Sequence, residues 1–335
     1  MALKPENDPL IERPLRMTIR EQEDGKHLVR LILRRYPQIR PAALHQALRK
    51  RDIKNNGHRL RTDGPVKAGD QIVIYLPQDE APAADTGPGY TIVKAAHPVW
   101  IVSKEPGISV QAGSGQKADG VTLLDALRRD LQQDIFLCHR LDRLTGGLIM
   151  VAAGEDNTRL VREQMRQGLV VKRYRCLVQG RPEEGQPVQA ADGRMMLEIT
   201  GWLEKQADTA QVYIHQTKQP GDQPIITRYC VERVLTHAGP DHGDVCELLV
   251  ELVTGRTHQI RAHLAAIGHP LLGDGKYGRN VYNRHFQAGK GPIRHQELWA
   301  TCLMFDPKCT GPLSCLAGQK IQIKPAYAWT GYKSF

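Results

Sequence analysis

HRLDRLTGGLIMVA, residues 139–152, runs from a charged turn straight into an apolar strand. The turn carries the carboxylate of Asp142 between Arg140 and Arg143 and closes on Gly146 and Gly147. Two neighbouring guanidinium groups favour the ionised carboxylate, and glycines at a strand end let a ligand approach the backbone closely. The same spacing also suits an aspartate that only caps its turn. Working outward, apolar runs at 99–103, 171–178 and 245–253 read as further strands, and the patterns of 156–167 and 257–267 read as helices. Strands and helices mixed in this way predict an α+β domain.

Toward the N-terminus the pattern is different. Val29, Ile32, Leu33 and Tyr36 recur at helical spacing after Gly25, and Pro37 stops that helix. Pro41 opens a second, with Leu44, Ala47 and Leu48 on its apolar side and Arg49, Lys50 and Arg51 at its end. Asn56-Gly57 predicts a tight turn, 67–70 another, and 72–76 a strand. Residues 78–89, rich in Pro, Gly and Ala, have linker composition. The expected organisation is a small α/β unit at 12–77, a linker at 78–89 and a larger domain at 90–335.

Charge separates the two parts. Between residues 11 and 61 fourteen Lys and Arg face five acids, a local excess of +9 in a chain whose formal charge is +10. A polyanion should therefore meet the small unit first, with Arg34, Arg35, Arg40, Arg49, Lys50, Arg51 and Lys54 as its candidate contact residues. Seven scattered cysteines with no C-x-x-C pair read as reduced thiols rather than a disulfide framework. The longest apolar run, 147–154, is far below the roughly 18 residues of a membrane span, and the polar first dozen residues lack a secretory core. A cytoplasmic protein without membrane contact is expected, acting as a monomer.

Two further segments carry candidate chemistry. KRYRCLV, 172–178, alternates like a half-buried strand with its charges on one side, which leaves Tyr174 either stacking on a base or filling a core. TGRTHQIRAHL, 254–264, opens a helix with Thr257 as its N-cap and Arg256 beside it, a natural phosphate seat. Ile260, His263, Leu264 and Ile267 share one face of that helix; His258, Arg261 and Ala265 share another. A zinc site from His258, His263, His269 and Asp274 is disfavoured, because the first two histidines stand five positions apart and diverge on a helix, and no H-E-x-x-H is present.

Taken in order, these motifs resemble the RluA-type pseudouridine synthases. HRLDRLTGG is similar to the family's H-R-L-D-x-x-T-S-G, KRYRCLVQG to its K-x-Y-x-A-L-V-x-G, TGRTHQIRAHL with GHPLLGDGKYG to its long third motif, and Lys104-Glu105-Pro106-Gly107 to its K-x-P-G. Residues 12–77 resemble the S-four-type RNA-binding domain. The resemblance implies a mixed, largely antiparallel central sheet and isomerisation of uridine to pseudouridine with no cofactor or metal. It implies structured RNA as partner, large-subunit ribosomal RNA before transfer RNA. By position it makes Asp142 the essential nucleophile or acid–base group, and Tyr174 the ring that packs on uracil and acts in proton transfer. Arg261 becomes the partner of the aspartate and Arg140 the residue that helps flip the nucleotide. Arg143, Arg256 and His258 are the remaining substrate-binding candidates.

Three positions depart from the pattern: Gly146 stands for the common Ser, Cys176 for the common Ala, and Ile39-Arg40-Pro41 lacks the Ser that often precedes Arg. The alternative function is a non-catalytic RNA-binding ribosome-assembly factor of the same fold. Such a protein would lose the aspartate or its arginine first, and both are present.

Overall fold

The computed structural model describes residues 14–36, 41–75, 89–112, 121–205, 211–240, 243–286 and 293–329. Arg40, most of the linker and the side chain of Arg34 lie outside the described residues. The chain forms two compact units, Met1–Gly87 and Pro88–Phe335.

In the first unit, strand β1 (Leu15–Thr18) precedes helices α1 (Leu28–Arg35) and α2 (Pro41–Lys50), then β2 (Ile53–Asn55), β3 (His58–Arg59) and β4 (Gln71–Ile74). The strands form an antiparallel sheet in the order β1-β4-β2-β3. Asn56 and Gly57 both take positive φ, 49° and 84°, the conformation a two-residue hairpin turn demands and the reason for this dipeptide between β2 and β3. Leu28, Val29, Leu31 and Ile32 of α1 pack with Leu44, Ala47 and Leu48 of α2 against Ile53, Ile72 and Ile74. Among the candidate RNA contacts, Arg35 is withdrawn from the surface: its Nη2 holds Glu23 Oε2 at 2.7 Å and its Nη1 donates to the Thr18 carbonyl at 3.1 Å. Arg49, Lys50 and Arg51 are exposed, and Lys54 lies over the Tyr75 ring.

The second unit runs β5 (Tyr90–Ala96), β6 (Val99–Lys104), α3 (Leu123–Leu131), β7 (Ile135–Leu137), β8 (Gly146–Ala153), α4 (Glu155–Arg166) and β9 (Val170–Gln179). It continues with β10 (Gln186–Gln189), β11 (Met195–Lys205), β12 (Val212–His215), β13 (Gln223–Leu235) and β14 (Val245–Leu252). Last come α5 (Gln259–Ala266), α6 (Asn280–His285), β15 (Leu298–Phe305) and β16 (Lys320–Gln322). The main path of the sheet is β10-β11-β13-β14-β9-β15-β8-β6-β5. Among the described strands only β15 and β8 pair in parallel, through Trp299 with Gly146 and Ala300 with Gly147. The expected mixed, largely antiparallel sheet is present.

Both faces of the central strands are covered, which explains their unbroken apolar runs. Along β8, Ile149 and Val151 enter one core cluster while Leu148, Met150 and Ala152 enter another on the opposite face. The expected half-exposed strand at 171–178 is corrected by the same fact. On β9, Tyr174, Cys176 and Val178 fill the main core. Arg173 and Arg175 on the other face are enclosed by carboxylates: Arg173 Nε meets Glu251 Oε2 at 2.9 Å, and Arg175 Nη1 meets Glu247 Oε1 at 3.0 Å. Strand β14 runs beside β9 and supplies both glutamates, so these charges face partners rather than water. The helix α3 escaped the periodicity reading. It is fixed by a capping box in which Thr122 Oγ1 accepts the Asp125 N–H and Asp125 Oδ2 accepts the Thr122 N–H, each at 3.2 Å.

One buried acid makes stability depend on pH. Glu297 is fully enclosed at the start of β15 and accepts the Ala328 N–H at 3.1 Å, tying the segment after β16 to the sheet. Burial pushes its carboxyl up to about 7, against the backbone N–H groups that pull it down. A raised folded-state value stabilises below the ordinary carboxylate range and loses that contribution as pH rises through about 7. The penalty above that pH is on the order of 3 kcal/mol. Glu297→Gln should therefore raise Tm by a few degrees at pH 8.5 and leave it unchanged near pH 4; an unchanged or lower Tm at pH 8.5 would show that the ionised carboxylate is well accommodated.

Candidate active site

The turn between β7 and β8 is held at both ends. Cys138 N–H still follows the strand ladder and donates to the Met150 carbonyl at 3.0 Å, but Met150 N–H donates to Nε2 of the His139 ring at 3.0 Å. The imidazole thus replaces a backbone acceptor where the chain leaves the sheet. Accepting through Nε2 requires the neutral ring, and burial followed by the nearby Lys172 cation pushes His139 down to about 3. From the other side, the buried Lys104 Nζ donates to the carbonyls of Glu105 and Arg143 at 2.9 and 3.0 Å. Arg143 Nε donates to the Gly107 carbonyl at 3.0 Å. Arg143, a substrate-binding candidate by sequence, is therefore also part of the clasp around Asp142.

The two glycines do not open the turn to a ligand. A Cβ on Gly146 would lie 2.7 Å from the Trp299 ring, and one on Gly147, where φ is 105°, would lie 2.1 Å from the Ala300 carbonyl oxygen. They make room for β15. The departure at Gly146 is explained by the same contact, because Trp299 occupies the space a serine side chain would need.

In the third motif, α5 starts at Gln259, not at Thr257, which is exposed and caps nothing. His258 holds the N-cap position with φ of 54°. Gln259 organises the approach instead: its Oε1 accepts from Thr254 Oγ1 and the Arg256 N–H, and its Nε2 donates to the Ile226 carbonyl, all at 3.0 Å. Over its first six residues, 259–264, the helix is buried all round, so its two expected faces merge there, and only its end at Ala266 is exposed. His263 Nδ1 meets Thr227 Oγ1 and His269 Nδ1 meets the Gln179 carbonyl, which separates the histidines weighed for zinc.

Arg261 joins the motifs. Its Nε and Nη2 grip Asp274 at 2.7 and 2.9 Å, and its Nη1 meets Asp142 Oδ2 at 3.2 Å. Asp274, fully buried, is held in turn by the N–H groups of Lys276 and Tyr277 at 2.9 and 3.0 Å. Burial would raise its carboxyl, yet Arg261 and these N–H groups hold it below the usual carboxylate range. Tyr277 also lies under the Arg261 guanidinium, 5.2 Å from carbon to ring centre. Its hydroxyl accepts the Val212 N–H at 3.2 Å and meets His258 Nδ1 at 2.9 Å. His258 Nε2 lies 3.8 Å from Asp142 Oδ2, so the ring stands between the Tyr277 hydroxyl and the carboxylate. Burial, reinforced by the Arg261 cation, pushes His258 below its ordinary range despite the pull of Asp142.

A cavity of about 230 Å³ opens over this group, walled by Asp142, Tyr174, His258 and Arg261 and rimmed by the exposed Arg140 and Arg256. Burial, then the Asp142 charge, raises the Tyr174 phenol and keeps it protonated. Of the residues proposed from the sequence, Asp142, Tyr174, Arg261, Arg140, Arg256 and His258 line this cavity, and Arg143 does not. Asp274 and Tyr277 lay within the GDGKYG segment with no role assigned. A buried arginine that needs more than one carboxylate was the signal pointing to Asp274.

Residues 98–266, half of the chain, match the family model for RNA pseudouridylate synthase. The chain belongs to that family. The RluA-type resemblance and the isomerase activity it implied are thereby borne out. Ribosomal large subunit pseudouridine synthase C of Haemophilus influenzae is 27% identical over 295 residues, covering 83% of this chain and 84% of the relative. Its Escherichia coli K12 counterpart is 27% identical over 311 residues, covering 88% and 89%. The solved structure of human RNA pseudouridylate synthase domain containing 1 shares the fold, with TM-score 0.51 and 23% identity over 66% of this chain and 81% of that one.

In this pseudouridine synthase, Gly146→Ser should cost about 1–3 kcal/mol by overpacking against Trp299. Urea unfolding should show the loss, and Gly146→Ser combined with Trp299→Leu should recover part of it; additive losses would mean that the ring is not the obstacle.

Proposed function

We propose that this pseudouridine synthase modifies a uridine of large-subunit ribosomal RNA, in the cytoplasm and as a monomer, with Asp142 reacting at the target nucleotide. The observation that carries the assignment is the bond from Arg261 to Asp142, made by a guanidinium already fixed on Asp274. The RNA class is supported by the names of the relatives above.

The reaction breaks the bond from uracil N1 to ribose carbon one, turns the base and joins carbon five to the ribose; carbon five gives up a proton and N1 gains one, so no co-reactant is consumed. It needs a carboxylate that is ionised before the substrate arrives. Arg261 Nη1 donates to Asp142 Oδ2, and its fork to Asp274 holds that donor in place when charge develops. The Tyr174 ring offers a face for uracil, and its protonated phenol can lend or return a proton. The His258 ring lies on the cavity side of the carboxylate, its Nε2 3.8 Å from Asp142 Oδ2. Arg140, exposed at the rim, fills the place of the extruded base; extrusion costs a few kcal/mol, least in loops and bulges. The first unit acts as an S-four-type RNA-binding domain. Exposed Arg49, Lys50 and Arg51 at the end of α2 support that role, whereas Arg35 is committed to Glu23.

Asp142→Asn keeps the size of the side chain and removes its charge. Folding and RNA binding should persist while pseudouridine formation on unmodified large-subunit ribosomal RNA drops to background; substantial turnover would remove Asp142 from the chemistry. Replacing Arg49, Lys50 and Arg51 together by alanine should flatten the slope of log affinity against log salt by up to about 2, at roughly 0.7 per lost phosphate contact. Turnover at saturating RNA should hold, and its collapse would place these cations in the catalytic step.

A further inference from the structure

We propose that Lys172 is a phosphate-binding residue inside the cavity, receiving the backbone phosphodiester beside the extruded uridine. This rests on the pseudouridine synthase reading and adds a contact that the basic first unit does not provide. Lys172 lies two positions before Tyr174 on β9, so both side chains leave the same face of the sheet, and both line the cavity.

What distinguishes Lys172 is its lack of a partner. Lys172 is half-buried, and among the described residues the buried cations of this unit are satisfied: Lys104 by two carbonyls, Arg173 by Asp192 and Glu251, Arg261 by Asp142 and Asp274. Among the described residues Lys172 Nζ has neither hydrogen bond nor ion pair, and burial alone moves its ammonium below the ordinary lysine range, with no carboxylate opposing. An unpaired, half-buried cation carries a desolvation cost in the free protein that an arriving anion offsets. Its titratable neighbour, His139, is neutral and already accepts from Met150, so it supplies no counterion.

The surroundings leave room for that anion. A side chain on Gly255 would begin 3.3 Å from Lys172 Nζ, so the glycine keeps the approach to the ammonium open. Arg256 and Arg140, both exposed, stand on the rim of the same cavity. RNA brings one negative phosphodiester per nucleotide, whereas uracil is neutral until its glycosidic bond breaks. The anion present at binding is therefore the phosphate.

The test uses full-length protein with Lys172→Met and Lys172→Arg, and unmodified large-subunit ribosomal RNA transcript as probe. With Met, KM should rise by about tenfold at nearly constant kcat, and the slope of log affinity against log salt should flatten by about 0.7. Arg should restore most of both. Unchanged KM and slope overturn the proposal. A fall in kcat at unchanged KM also overturns it, by placing the ammonium at the reacting base. If the wild type modifies no uridine yet the slopes differ as stated, the substrate reading fails and the phosphate contact stands.

Discussion

One guanidinium serving two carboxylates sets the geometry of this enzyme. Arg261 directs Nε and Nη2 to Asp274 and Nη1 to Asp142, a division that uses the planar fork of arginine and that a lysine could not reproduce. Two negative charges beside one positive would be unfavourable in an enclosed site if Asp274 had no other donors. The Lys276 and Tyr277 N–H groups relieve that excess, so the inner carboxylate is fully satisfied and the outer one keeps accepting capacity for substrate.

The remainder of the fold brings these groups together from separate places. Asp142 arrives on a turn clasped by Lys104 below and released from the sheet by the His139 ring above. Tyr174 arrives on a strand whose reverse face is neutralised by Glu247 and Glu251. Arg261 arrives on a short helix buried all round over its first six residues, whose start is set by the Gln259 side chain instead of a conventional cap. In each case a polar group replaces a backbone partner or neutralises a charge, and the enclosed elements keep their hydrogen bonds without contact with water.

Much of this was legible in the sequence because four motifs stand in the order of the RluA-type family. Asp142, Tyr174 and Arg261 were identified from quoted segments, and the central strands from unbroken apolar runs. The errors share a cause: local reading assumes that a charged or small residue faces solvent or ligand. Arg173 and Arg175 looked exposed until β14 brought its glutamates alongside, and Arg35 looked available until Glu23, twelve positions earlier, captured it. Gly146 and Gly147 looked like a ligand approach, yet they accommodate Trp299 and Ala300, more than 150 residues away. Thr257 had the chemistry of a cap and was overruled by a glutamine two positions later. Tertiary partners this distant leave no trace in local periodicity.

The position of β15 also bears on how the enzyme is made. This strand comes from residues 298–305, yet it lies between β9 and β8 and joins the half of the sheet that carries Asp142 to the half that carries Tyr174 and Arg261. A chain still on the ribosome holds two half-sheets with open edges until that segment emerges. At cellular elongation rates the aspartate waits on the order of ten seconds for its surroundings to close. During that interval the inner edges of β8 and β9 are the surfaces a chaperone must shield. A message truncated before β15 would yield a product that contains every catalytic residue and no assembled site.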